Sequence, residues 1–103
     1  SELEAIESPF QSSNLEFLSM YPNPSNGEVT MKYYLPEQMD GVVAKVYDML
    51  GRLVHIEILE NKEGASESQM QLNTLQKGNY IVLISADKDG GTKHIANKML
   101  IIK

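Results

Sequence analysis

The chain has 103 residues, 42% of them hydrophobic and 22% charged, no cysteine, and a net charge of −5. That length suits a single domain that buries about 60–70% of its unfolded surface in one core. The acidic balance excludes electrostatic capture of nucleic acid, no apolar run approaches the roughly 20 residues of a spanning helix, and the absence of thiols excludes disulfides and zinc–sulfur sites.

The opening "SELEAIESPFQSSN" is acidic and loosely patterned, so residues 1–14 read as a linker from a preceding domain. Because the chain starts Ser1-Glu2-Leu3, without an initiator Met or a signal segment, it is expected to be a piece of a longer protein. The folded domain is expected over residues 15–103, and "LEFLSMY" is its first candidate strand.

"YPNPSNG" follows as a stiff elbow. Pro22 and Pro24 lack a backbone donor, Tyr21 and Asn23 are pushed toward extended conformations, and Asn26-Gly27 tolerates positive φ. "EVTMKYYL" then alternates Val29, Met31, Tyr33 and Leu35 against polar neighbours, as a strand with one buried face does. "PEQMDG" is a loop. "VVAKVYDMLGRLVHIEILE" reads as a hairpin, with Val42, Ala44 and Val46 inward, a turn over Asp48–Gly51, and Val54, Ile56 and Ile58 inward on the return.

"NKEGASE" is a polar loop and "SQMQL" a short strand with Met70 and Leu72 inward. "NYIVLISA" alternates Tyr80, Val82, Ile84 and Ala86, "DKDGG" is a hairpin turn, and "TKHIANKMLIIK" supplies the last strand. About seven strands at such spacing predict an all-β, immunoglobulin-like antiparallel β-sandwich. In "LNTLQKGNY", Tyr80 stands where a tyrosine corner would return its hydroxyl to the upstream backbone; the other reading is a large core residue.

Chemistry is sparse. His55 and His94 lie far apart without partners at ligand spacing, and no serine sits in a nucleophile elbow. "DKDGG" lacks the remaining ligands of a calcium loop, and Gly90-Gly91 has no following helix to hold phosphate. With no Trp, only Tyr34 and Tyr47 offer exposed rings for a glycan. These residues imply no enzyme and no cofactor, but a sandwich that works by interaction.

In order, "YPNPSNGEV", "VYDMLGRLV", "LNTLQKGNYIVLI", a glycine turn and the closing "KMLIIK" resemble the C-terminal sorting domains of type IX secretion in Bacteroidetes. The resemblance runs from about Tyr21 to Lys103. It matches Tyr21, Pro22, Asn23, Pro24, Asn26 and Gly27 to the family's opening motif. Tyr47, Asp48, Gly51 and Arg52 match its central hairpin, Gly78 and Tyr80 its third motif, and Gly91, Lys98 and Lys103 its closing segment. Gln76-Lys77 and the long "GGTKHIANK" depart from the pattern.

The resemblance implies a domain carried behind an N-terminal cargo, passing through the periplasm and read by the outer-membrane type IX translocon. A surface sortase-like peptidase then removes it, with cleavage expected within Ser8–Asn14, and the cargo is attached to the cell surface or secreted. No membrane insertion is expected. Of the two functions carried forward, the sorting signal is the first. The alternative is a surface adhesion or glycan-binding module belonging to the cargo. The exposed last strand, with Lys98 and Lys103, is the expected carrier of the signal.

Overall fold

The computed structural model describes residues 18–103, so the expectations for residues 1–17 lie outside the described residues. Seven strands follow in order: β1 Leu18–Tyr21, β2 Glu28–Leu35, β3 Asp40–Asp48, β4 Leu53–Ile58, β5 Gly64–Gln71, β6 Gly78–Lys88 and β7 Gly91–Ile102. They form two antiparallel sheets, one ordered β1-β2-β5 and the other β4-β3-β6-β7. This is the all-β, immunoglobulin-like sandwich expected from the strand spacing, with the fourth strand lying beside the third.

The alternating sequences explain which faces meet. Val29, Met31, Tyr33 and Leu35 of β2 are buried, as are Val42, Ala44 and Val46 of β3 and Tyr80, Val82, Ile84 and Ala86 of β6. Each set is one face of a period-2 strand, so the two sheets close on a single apolar layer. Met70 and Leu72 join that layer.

Two turns obey their glycines. Gly51 N–H donates to Asp48 O at 3.0 Å, and Asp48 N–H to Arg52 O at 2.9 Å. Gly51 itself has φ 84°, the left-handed position that closes a three-residue hairpin loop. Between Lys88 and Gly91, Asp89 and Gly90 both have positive φ, 53° and 79°, matching the twist of a two-residue hairpin turn.

The return strand of the first hairpin departs from the expected facing. Val46 pairs with His55 but Tyr47 with Leu53, so Val54 is an extra residue in the ladder. Such a bulge inverts the alternation that follows it. Val54 still packs against the core, but Ile56 and Ile58 point outward, 50% and 82% exposed, and His55 and Glu57 take the inward face. A second difference concerns β5. It begins at Gly64, because backbone pairing with β2 carries "GASES" into the sheet despite its polar composition.

Candidate recognition pole

Strand directions bring most of the motifs to one end of the sandwich. β1, β3, β5 and β7 finish there and β2, β4 and β6 begin there, so the elbow, the β3–β4 turn, the β5–β6 connection and Lys103 share this pole.

The elbow lies along the free edge of β7. Asn23 Nδ2 donates to Met99 O at 2.9 Å, while Ile101 N–H donates to Asn23 Oδ1 at 3.0 Å. Two residues on, Ser25 N–H donates to Ile101 O at 2.8 Å, and Lys103 N–H donates to Ser25 O at 2.9 Å. Pro22 and Pro24 have no N–H to offer, so the Asn23 carboxamide, with one donor and one acceptor, does the work of a strand peptide. Both prolines follow cis peptide bonds. The elbow thus sutures the three-stranded sheet to the edge of the four-stranded one. The upper edge of the last strand is already occupied, which corrects the expectation of a free terminal strand.

Ser25, 1% exposed, is the hub of this suture, and the sequence reading passed over it. Its Oγ donates to Glu28 O at 2.9 Å and accepts from Gly27 N–H at 3.0 Å. A small polar residue flanked by turn formers inside "PNPSNG" was the available signal. Gly27, with φ 118°, lies so close to the next loop that a Cβ would sit 2.6 Å from Asn73 Oδ1. Asn26 Oδ1 accepts from Glu28 N–H at 3.3 Å.

At the β3–β4 turn, Asp48 organises its own loop. Its Oδ1 accepts from Leu50 N–H and Arg52 N–H, each at 2.9 Å, and its Oδ2 from Arg52 Nε at 2.7 Å. The Arg52 backbone N–H chiefly holds the Asp48 carboxyl below the usual aspartate range, against opposing desolvation; the Arg52 side chain and the Leu50 N–H add to it. Above β6, Tyr80 Oη donates to Gln76 O at 2.5 Å. Tyr80 is therefore both a core residue and a tyrosine corner, and Leu75 packs against the core.

A shallow cavity of about 460 Å³ opens between this turn and the β5–β6 connection, lined by Leu50, Arg52, Val54, Leu75 and Lys77 among others. Leu50 and Met49 project from its rim, 78% and 58% exposed.

The remaining matched residues take varied positions. Gly91 lies at the opposite end, in the β6–β7 hairpin. Tyr47 is half-buried on the outer face, opposite Ile81. Tyr21 is exposed at the end of β1, with the Lys32 ammonium 5.7 Å from its ring centroid. Lys98 pairs with Val82, so it sits on the core-facing side of β7 and is half-buried, whereas Lys103 is exposed. Gly78, with φ 153°, opens β6 opposite Ile102.

The sequence profile of the family described as "Secretion system C-terminal sorting domain" matches residues 19–101. Among curated proteins, no relative matches the chain.

Proposed function

The chain belongs to the family of secretion-system C-terminal sorting domains, and from that premise we propose that the motif-built pole is the surface the export machinery reads. The domain is a sorting signal for type IX secretion, which directs a cargo protein to the cell surface or beyond it; the family is not catalytic. The finer steps are our reading. The outer-membrane translocon meets the folded sandwich after periplasmic transit, residues 1–14 link it to the cargo, and a surface sortase-like peptidase cleaves within Ser8–Asn14.

One observation carries the placement of the reading surface: three separate motifs and the last residue converge on one pole. There Asn23, Ser25, Asp48 and Tyr80 use their polar groups on the pole's own backbone. Such residues build a surface rather than being read from it. Among the side chains left on display are Met49, Leu50, Arg52, Lys77 and Lys103.

A reporter carrying residues 1–103 tests this in a type IX-competent host. Replacing Leu50, Arg52 and Lys103 together with Ala is expected to shift the melting curve little, because Leu50 and Lys103 are solvated and the exposed Arg52–Asp48 pair contributes little to stability, and to leave the reporter in the periplasm. Deleting Met99–Lys103 is expected to block export and also to unfold the domain, because it removes buried Leu100 and Ile102 and the whole suture. Normal export of the triple variant would show that the pole is not the reading surface.

A further inference from the structure

Four strand edges border the two sheets, and three of them are blunted against pairing with another chain. β1 is only 4 residues long. β5 turns Glu67, Gln69 and Gln71 to solvent. β7 has an extra residue, Ile95, between its pairings with Ile84 and Ser85, and its upper half is taken by the elbow. Short edges, polar or charged side chains, bulges and covering segments are the usual defences of an exposed edge.

β4 is bulged at Val54, but beyond the bulge, among the described residues, no strand pairs along its outer edge. It packs chiefly against β3, and its outward side chains are apolar: Leu53 45%, Ile56 50% and Ile58 82% exposed. Its backbone is in phase for a further partner. Leu59 N–H donates to Val42 O, and antiparallel bonding alternates by residue. The peptide groups of His55 and Glu57 therefore face β3, while those of Ile56 and Ile58 face the open edge.

The inward side chains of β4 select the partner. His55 Nε2 and Glu57 Oε1 lie 2.8 Å apart, both only partly buried. Against a neutral strand, this pair would lie beside apolar side chains and obstruct pairing. Against a second β4 running antiparallel, with Ile56 opposite Ile56, each His55 stands opposite the other chain's Glu57. The two Ile56 residues then exchange both backbone hydrogen bonds. The flanking His–Glu positions fall in the non-bonded register, where side chains approach most closely.

We infer that β4 is a self-complementary edge through which two copies of this chain pair, joining their four-stranded sheets into one continuous sheet of eight. The two-fold axis stands perpendicular to the sheet at Ile56, so the contact is isologous. The bulge at Val54 ends the regular ladder, which keeps the interface small and the association transient. The pairing is independent of export.

Sedimentation equilibrium on the whole chain up to about millimolar concentration, the range of small interfaces, tests the inference. The wild type is expected to reach a monomer–dimer equilibrium, with the Ile56 amide gaining protection from hydrogen exchange as concentration rises. His55→Glu should weaken self-association at least about tenfold by placing carboxylates opposite one another across the two-fold, and Glu57→Lys should do so by removing the carboxylate that faces His55. An equimolar mixture of the two variants should recover a heterodimer, because each acidic edge then meets a basic one. Ile56→Lys, at an exposed position, gives an independent break without touching the inward pair. A wild type that stays monomeric throughout overturns the inference. So does a dimer that survives Ile56→Lys, a mixture that fails to associate, or an unrelated strand held at β4 by a monomeric chain.

Discussion

At the motif-built pole the polar side chains bond to backbone, whereas at the far pole the loops are held by sparser contacts. Asn23, Ser25, Asp48 and Tyr80 together satisfy peptide groups of the elbow, the first hairpin, the β5–β6 connection and the last strand. At the far pole, Glu37 pairs with Lys88, Tyr33 Oη donates to Glu60 O at 3.1 Å, and Met39 N–H donates to Asn61 O at 3.1 Å. A backbone fixed by its own side chains presents a defined surface; a surface ion pair between long side chains contributes little and is screened by salt. The contrast shows where the family's motif residues are used: most are structural parts of one pole.

The largest test of this contrast compares two glycines. Gly27→Ala combines a left-handed φ with a Cβ 2.6 Å from Asn73 Oδ1 and 3.1 Å from its Cα, so Asn73 must give way. A loss of about 3 kcal/mol or more is expected from strain and overpacking together. Gly64→Ala at the far pole has φ 102° but nothing within 4 Å, so strain alone should cost about 1–2 kcal/mol. Urea unfolding of both variants measures the difference, and equal losses would remove the claim that the elbow is the tighter junction.

A smaller effect is expected for the two buried tyrosines. Tyr80→Phe and Tyr33→Phe each remove one hydroxyl bond to a carbonyl, worth about 1 kcal/mol. Tyr80 bonds four residues back within its own connection, at 2.5 Å, so its loss should also speed amide exchange across Thr74–Gly78. Tyr33, whose phenol burial pushes up, reaches 27 residues away to Glu60, and its loss should loosen only the 59–63 loop. Exchange mapped by NMR separates the two.

The smallest effect is electrostatic. Asp48 is lowered chiefly by the Arg52 backbone N–H and Glu37 chiefly by its hydrogen bond from Lys88. A carboxyl with a depressed folded pKa adds stability above its unfolded value, about 4, and that stability is lost as pH falls through the folded value. Both groups should therefore titrate at lower pH than free carboxyls, and their contribution should vanish in acid. Added salt should return Glu37 toward the ordinary range while leaving Asp48 depressed, because fixed N–H dipoles in contact are screened less than an exposed ion pair. Carboxyl titrations by NMR at low and high salt would show it; equal salt responses would mean the two poles are held alike.

Read along the chain, Val29 to Leu35, Val42 to Val46 and Tyr80 to Ala86 determined their own faces, because a strand buried on one side must alternate with period 2. Gly51 and Asp89-Gly90 marked their turns for an equally local reason, the scarcity of residues that tolerate positive φ. The family, too, was legible, since its punctuation lies in contiguous turns. Tertiary structure decided the rest. Val54 reversed the facing of Ile56 and Ile58, since a bulge depends on the register with β3 and not on the residue type. Polar β5 became a strand only because β2 supplied the hydrogen-bonding partner. Lys98 turned toward the core side because its parity on β7 is set by pairing with Val82. The motif-built pole itself, with Asn23 bonded to residues 76 and 78 positions away, depends on strand directions in both sheets at once, which no local pattern encodes.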